Sequence, residues 1–174
     1  MQSAHPTLAL SERISAIGFD ALDARTVYKV KEAIRDGFSV GVAGCTQEPV
    51  KILSDYVRSL GCAAQASVWG LGYRTTVANA ALVNAASAHV LDYEPMSNPS
   101  THAVSPVLPA VMALAEAEGT SGRDIVTACA KGFEMQHRLL HAATPIPRAK
   151  QYFHQLGMGG GMGAGVAAAH VLEL

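Results

Sequence analysis

The apolar residues of this chain recur at helical spacing along most of its length, and the alternation typical of a half-buried strand is nearly absent. A first helix is predicted after Thr7, a good N-cap residue, and should end near Gly18. Its apolar positions are Leu8, Leu10, Ile14 and Ile17. A stripe of this kind indicates a helix that packs one face against a core.

Two further helices are predicted in the next forty or so residues. Asp23 can cap the second helix, which should run for about five turns at 3.6 residues per turn. The predicted buried stripe of that helix is Val27, Val30, Ile34, Phe38 and Val42. The third helix should start around Pro49 and end at Gly61, because proline suits a first helical turn and glycine suits an end. Its predicted stripe is Val50, Leu53, Val57 and Leu60.

The segment 63–72, AAQASVWGLG, is the one piece whose pattern indicates a short strand or an extended loop. The run TTVANAALVNAASAHV that follows is predicted to be helical, since alanine at this density favours helix. After a polar break, Pro106 or Pro109 should begin another helix, which Gly119 closes.

Two more helices complete the predicted fold. Ser121 and Asp124 form an approximate capping box at the start of one of them. The chain then finishes in a glycine-rich segment, 156–174, that we also expect to be helical. The sequence therefore predicts an all-α fold in which residues 1–174 form one domain, a common domain size.

Composition excludes several classes of protein. The 13 Lys and Arg residues nearly balance 14 Asp and Glu, so the net charge of -1 predicts binding neither to nucleic acid nor to an anionic membrane. The N-terminal stretch lacks the basic and apolar regions of a signal peptide, which predicts a cytoplasmic location. We expect Cys45, Cys62 and Cys129, which form no pairing pattern, to be small buried hydrophobes.

The glycines near the end of the chain could be taken for a nucleotide-binding fingerprint. Residues 159–164, GGGMGA, fit its loose form, but no strand precedes them and no acidic residue lies about twenty positions later. Gly157, Gly161 and Gly165 share one helical face, and we expect that face to let another backbone approach closely. The segment 156–172 has no charged residue, but its glycine and alanine content predicts a buried helix rather than a membrane span.

Metal ligands are suggested at one place by spacing alone. Glu134 and His137 form an E-x-x-H pair, and His137 and His141 lie four residues apart on one helix face. Neither pair comes with the further ligands that a di-iron or zinc site requires, so we predict no metal. We interpret these residues as a polar helix face, with a metal site as the alternative.

The segment 84–109 holds the best candidate chemistry. It places two histidines, one aspartate, one glutamate and four prolines between two apolar, alanine-rich segments. Asp92 and His102 lie across a turn that can bring them together, and a carboxylate beside a histidine can fix its tautomer and raise its basicity. Proton transfer on a small polar substrate is the predicted function, with an ordinary surface loop as the alternative.

Three segments, NAASAHVLDYE, STHAVSPVLPAVMALAEAEG and YFHQLGMGGGMGAGVAAAHVLEL, resemble the MmgE/PrpD family in the same order. The likeness runs from about Leu8 to Leu174. It implies a helical domain of that type and lyase chemistry on a small di- or tricarboxylic acid, such as the dehydration of 2-methylcitrate or the decarboxylation of cis-aconitate. It also implies that neither a metal nor an organic cofactor takes part.

The resemblance assigns roles to individual residues. His102 corresponds to the main acid/base histidine of the family, while Asp92 and His154 would bind or orient a substrate carboxylate. His89 is left with a structural role at a helix end. The chain departs from the family pattern at Glu94, Pro95, Met96, Ala103 and Gln155. These departures bear on which acid is the substrate.

The resemblance further implies that the chain corresponds only to the first part of the helical domain, without the α+β lid domain. We therefore expect it to be a poor catalyst alone and to work with a separate C-terminal chain or in a homo-oligomer such as a homodimer. The alternative is a non-catalytic helical module for oligomerisation or partner binding.

Overall fold

In the computed structural model, one largely buried helix packs against four other helices and one small hairpin. The structure describes residues 5–97, 101–143 and 155–174. Its helices are α1 (Pro6–Ser15), α2 (Ala24–Gly44), α3 (Glu48–Ser59), α4 (Val77–His89), α5 (Val104–Glu118), α6 (Gly122–Ala143) and α7 (Gln155–Val171). A short 3-10 helix, Phe19–Ala21, precedes α2, and the strands β1 (Ala66–Val68) and β2 (Tyr73–Thr75) pair between α3 and α4. The predicted all-α fold is confirmed.

Helix α5 is the centre of the core. It packs against α2, α4, α6, α7 and β1, and Val107, Leu108 and Val111 on it are fully buried. Such a helix carries apolar side chains around most of its circumference, because each face meets another element. The polar segment that precedes α5 is consequently attached to a helix that is buried in the core.

Several predicted helix boundaries match the structure. Asp23 caps α2, since its Oδ1 accepts a hydrogen bond from the amide of Thr26 at 2.6 Å. The amide of Asp124 donates to Ser121 Oγ at 3.2 Å at the start of α6. Gly119 ends α5 in the left-handed conformation, with φ of 70°. All three positions use residue types whose local chemistry suits a helix end.

Two predicted starts need correction. Helix α1 begins at Pro6 after His5, so Thr7 is inside the helix rather than its cap. Helix α5 begins at Val104, which puts Pro106 in its first turn and Pro109 inside it. Proline can occupy the first turn because its missing amide would have had no helical partner there.

The predicted stripe of α2 is wrong in its second half. Phe38 and Val42 are 41% and 39% exposed, whereas Gly37, Gly41 and Gly44 are buried. A Cβ atom on Gly41 would lie 2.7 Å from Cε3 of Trp69, so the absence of a side chain lets α2 approach its neighbours. The pattern of hydrophobic residues did not reveal the glycine face of α2, because glycine has almost no hydrophobicity of its own. Leu60, predicted to belong to the buried stripe of the third helix, is likewise 46% exposed.

The segment predicted to be extended forms half of an antiparallel hairpin. Ala66 of β1 pairs with Thr75 of β2. Thr75 therefore belongs to the second strand rather than to the helical run predicted to begin with it. Asn84 of α4 fixes the hairpin, because its Oδ1 accepts from the amide of Trp69 at 2.9 Å and its Nδ2 donates to the carbonyl of Ser67 at 3.0 Å. The hairpin is thereby attached to α4.

The glycine face predicted for the last helix is also wrong. A Cβ atom on Gly157, Gly161 or Gly165 would meet nothing within 4 Å, whereas one on Gly163 would lie 2.7 Å from the carbonyl oxygen of Gly132 in α6. The close approach of α6 and α7 therefore uses the opposite face of α7. Residues 159–164 lie within this continuous helix, which does not provide the strand-turn-helix geometry of a nucleotide-binding loop.

Two remaining predictions concern cysteines and membranes. Cys45 and Cys129 are buried as predicted, but Cys62 is exposed. Burial raises the pKa of the Cys129 thiol to about 12. In the part of the chain that the structure describes, no helix is both long and apolar enough to cross a membrane.

Candidate active site

The polar segment between α4 and α5 reverses the direction of the chain immediately after α4. Helix α4 ends at His89, and the amide of Asp92 donates to the carbonyl of His89 at 2.9 Å. Asp92 has φ of 55°, in the left-handed region that aspartate tolerates better than most residues. This turn directs the chain back towards the start of α5.

A buried carboxylate, that of Glu94, is at the centre of the returning segment. The side chain is 0% exposed, and its Oε1 lies 2.6 Å from Nδ1 of His89. Its Oε2 accepts a hydrogen bond of 2.6 Å from the amide of Ser105, in the first turn of α5. The first amides of a helix have no partner within the helix, and a carboxylate there satisfies one of them and complements the helix dipole.

His102 lies between two carboxylates. Its Nε2 is 3.3 Å from Oδ1 of Asp92, and its Nδ1 is 3.5 Å from Oε1 of Glu94. The ring of His89 meets the ring of His102 edge to face, with centroids 5.0 Å apart. The His102 side chain is 13% exposed and that of Asp92 is 77% exposed, so the cluster extends from the protein interior to its surface.

The backbone of His102 is held from two directions. Met96 and His102 form an antiparallel bridge, and the amide of Ser97 donates to the carbonyl of Thr101 at 3.2 Å. From α6, Nε2 of the buried Gln136 donates to Oγ1 of Thr101 at 3.0 Å and to the carbonyl of His102 at 3.1 Å. Gln136 is thus a positioning residue for this segment.

The structure brings together two of the three residues assigned to the site from sequence. Asp92 and His102 are neighbours, as the turn between them allowed, although their roles in catalysis stay predictions. His154 lies outside the described residues, and its predicted role in substrate binding stays a prediction too. His89, assigned only a structural role at a helix end, belongs to the same cluster through Glu94.

Sequence reasoning missed two members of the arrangement. Glu94 was noted only as a departure from the family pattern, although an acid five residues after His89 in an apolar context was a signal of pairing. Gln136 carried no such signal, because 34 residues separate it from His102 and only the packing of α6 beside the segment brings them together.

In the part of the chain that the structure describes, the predicted ligand pairs on α6 gain no third metal ligand. Glu134 accepts a hydrogen bond of 2.5 Å from Nε of Arg138, and His141 is exposed. Nε2 of His137 is buried with no hydrogen-bond partner among the described residues. Within those residues, the one group with metal-ligating geometry is His89, Glu94 and His102, whose ligand atoms all lie within 4.8 Å of one another.

A second polar cluster is centred on Lys131, near the middle of α6. The amine of the buried Lys131 donates to the carbonyl of Ser15 at 3.1 Å and is 3.2 Å from Nδ1 of His170. Burial lowers the pKa of Lys131. Burial first, and then the charge of Lys131, also lower the pKa of His170, although Asp124 acts in the opposite direction. These groups join α1, α6 and α7 and are separate from the histidine cluster.

Comparison with known proteins identifies the family. A family model described as the MmgE/PrpD N-terminal domain matches residues 8–174. The chain belongs to the MmgE/PrpD family. Its MmgE/PrpD relatives include the cis-aconitate decarboxylase of Homo sapiens, 32% identical over 173 residues, and that of Mus musculus, 30% identical over 153 residues. These matches cover 97% and 85% of this chain but 36% and 31% of the relatives, so the chain spans about a third of their length. The resemblance seen in the motifs is confirmed.

Proposed function

We propose that this chain provides the proton-transferring wall of a lyase active site for a small di- or tricarboxylic acid, with His102 as the acid/base. The observation that carries the proposal is the placement of His102 between the carboxylates of Asp92 and Glu94. The similarity to two cis-aconitate decarboxylases supports the substrate class. Dehydration of 2-methylcitrate is the other reaction within this proposal.

Both reactions need a proton donor or acceptor beside a carbon that bears a carboxylate. In a dehydration, His102 removes a proton from that carbon while the neighbouring C–OH bond breaks, and the protonated histidine returns the proton to the departing hydroxyl group, which leaves as water. In a decarboxylation, the C–C bond to the departing carbon dioxide breaks and the histidine delivers a proton to the remaining carbanion. A carboxylate near each ring nitrogen stabilises the imidazolium that exists before or after the transfer.

Each neighbour has a defined part in this proposal. Glu94 holds the inner side of the His102 ring because its own position is fixed by Ser105 and His89. Asp92 orients the outer nitrogen and is exposed enough to meet a substrate. His154 is proposed to bind a substrate carboxylate, because a positive group there would offset the repulsion between the substrate and the two acids.

The relatives are roughly three times as long as the matched region, which supports a requirement for further residues to complete the site. A substrate with two or three negative charges needs cationic groups around it. Within the described residues, Asp92 and Glu94 form ion pairs with histidine alone. We therefore propose that turnover needs a polypeptide equivalent to the rest of these relatives.

The test is to assay the chain alone and together with such a polypeptide, using carbon-labelled cis-aconitate and 2-methylcitrate with product detection by NMR. His102→Asn should lower kcat by about 10²- to 10⁴-fold, the usual contribution of a general acid/base. His141→Asn, an exposed histidine on α6, is the matched control and should leave kcat unchanged. An assembled, folded protein that is inactive on every such acid, or an active His102→Asn variant, would refute the proposal.

A non-catalytic oligomerisation module is the second candidate, and one observation favours it. Ile52, Tyr56 and Leu60 lie four residues apart at α3 and are 65%, 61% and 46% exposed. An apolar stripe of this kind is commonly covered by another subunit, here proposed to be a second copy of the chain. Light scattering after size-exclusion chromatography tests this: Tyr56→Lys should turn a dimer into a monomer, and an unmodified chain that is already monomeric counts against it.

A further inference from the structure

We propose that His89, Glu94 and His102 form a binding site for a divalent transition-metal ion, for which Zn²⁺ is the probe, and that bound metal blocks proton transfer by His102. The binding part of this inference stands on the geometry of the three side chains. The blocking part rests on the proposed function of His102.

The separations of the ligand atoms suit a metal with a small adjustment. The three atoms lie within 4.8 Å of one another, and Nδ1 of His102 is 3.5 Å from Oε1 of Glu94. Zinc bonds of about 2.0–2.2 Å in a tetrahedral arrangement place ligand atoms roughly 3.3–3.6 Å apart. The shorter distance of 2.6 Å between Nδ1 of His89 and Oε1 of Glu94 reflects a proton between these atoms. A metal would replace that proton.

The electrostatics of the cluster favour a cation between its members. Nδ1 of His102 is buried and has no hydrogen-bond partner in the described part of the chain, yet it faces a carboxylate oxygen. A nitrogen lone pair and a carboxylate oxygen repel unless a proton or a cation lies between them. Since the Glu94 side chain is fully buried and forms ion pairs only with histidines among the described residues, a cation there would compensate its charge.

Two outer contacts hold the ligands in the orientation that a metal requires. The amide of Ser105 fixes the second oxygen of Glu94 at 2.6 Å. Oδ1 of Asp92 lies 3.3 Å from Nε2 of His102, which favours the tautomer with its proton on Nε2 and leaves the Nδ1 lone pair for the metal. Carboxylate–histidine–metal arrangements of this type are common around bound zinc.

The ligand types indicate which metals would bind. Two imidazoles and one carboxylate suit Zn²⁺, Cu²⁺, Fe²⁺ and Ni²⁺ better than Mg²⁺ or Ca²⁺. Three protein ligands leave one position for water, and the His89 side chain, 41% exposed, gives the ion a route from solvent. Binding of Zn²⁺ displaces the proton from Nδ1 of His89 into solvent. With the metal on Nδ1, the proton of His102 stays on Nε2, so the outer nitrogen has no lone pair with which to accept a proton from the substrate.

The direct test is calorimetric titration of the chelator-treated chain with Zn²⁺, together with the visible absorption of bound Co²⁺. We expect one ion per chain. Asp92→Asn should weaken binding by about 10- to 100-fold, as loss of an outer contact does, and His89→Ala, Glu94→Gln and His102→Asn should each weaken it more. His141→Asn is the control that should bind normally, and thermal unfolding of each metal-free variant shows whether it is folded.

Two results would overturn the metal site: no stoichiometric binding by the chain, or binding that folded His89→Ala and Glu94→Gln variants retain. Activity of the assembled protein, measured with and without Zn²⁺, separates this inference from the proposed function. Zinc that binds without lowering kcat overturns the blocking role alone. An active His102→Asn variant refutes the acid/base proposal while leaving the binding measurement valid.

Discussion

The close approach of α6 and α7 gives a prediction in which one substitution has opposite effects at two positions of the same helix. Gly161 is exposed, and a Cβ atom there would meet nothing within 4 Å. Gly163 faces α6, and a Cβ atom there would lie 2.7 Å from the carbonyl oxygen of Gly132 and 3.2 Å from Cβ of Gln136. The two positions differ in packing but share the same helical backbone.

The expected changes in the free energy of unfolding are the sum of a helix-propensity gain and a packing cost. Replacing glycine by alanine inside a helix stabilises it by about 0.5–1 kcal/mol through backbone entropy and propensity, and Gly161→Ala should show this gain alone. Gly163→Ala has the same gain but forces two backbones apart, because a carbonyl oxygen cannot rotate away as a side chain can. Overpacking of this kind costs about 1–3 kcal/mol. We expect Gly163→Ala to be net destabilising by about 0.5–2 kcal/mol.

Urea unfolding followed by circular dichroism measures both free energies of unfolding, and a thermal scan gives a second readout at about 2–4 °C per kcal/mol for a chain of this size. Because the propensity gain is common to both variants, the difference between them isolates the packing cost. Gly132→Ala, on the facing helix, should resemble Gly163→Ala. Equal stabilisation by Gly161→Ala and Gly163→Ala would refute the close crossing of these helices.

Three further predictions concern other parts of the chain. In the native protein a maleimide should label Cys62 alone, because burial keeps groups such as the Cys129 thiol protonated and inaccessible. The other two cysteines should react only after denaturation. Labelling of more than one thiol in the native state, seen by mass spectrometry, would contradict this prediction. The pKa of His170 is lower in the folded protein than its ordinary value of 6.5, so between these two values the unfolded chain binds more protons and the free energy of unfolding should fall as the pH drops. His170→Asn should reduce that fall. A pH profile in urea titrations that is the same for the variant and the unmodified chain would contradict this prediction. Gln136→Leu should lower the free energy of unfolding by about 1–2 kcal/mol, because Oγ1 of Thr101 and the carbonyl of His102 lose their hydrogen-bond donor. A free energy of unfolding equal to that of the unmodified chain would show that these hydrogen bonds contribute little.

Local chemistry made several features predictable. The caps at Asp23 and Ser121 and the end at Gly119 depend on residues within three or four positions of one another, so sequence alone locates them. The helical spacing of apolar residues predicted the all-α class for the same reason. The choice of Asp92 and His102 came from residue type and from the family motif, and the turn between them is short enough for the structure to place them 3.3 Å apart.

Tertiary packing decided the remaining features. Glycine has no side chain to reveal which face is buried, so Gly163 and the inner face of α2 could be identified only once the facing helices were in place. The fully buried Glu94 depends on the first turn of α5 for one of its two hydrogen bonds, and Gln136 reaches His102 across 34 residues of sequence. The sequence by itself determined the helices and the polar segment between two of them. His89 and Glu94 are only five residues apart, but the three-dimensional arrangement places His102 beside them, because Ser105 of α5 holds Glu94 and Gln136 of α6 holds the backbone of His102.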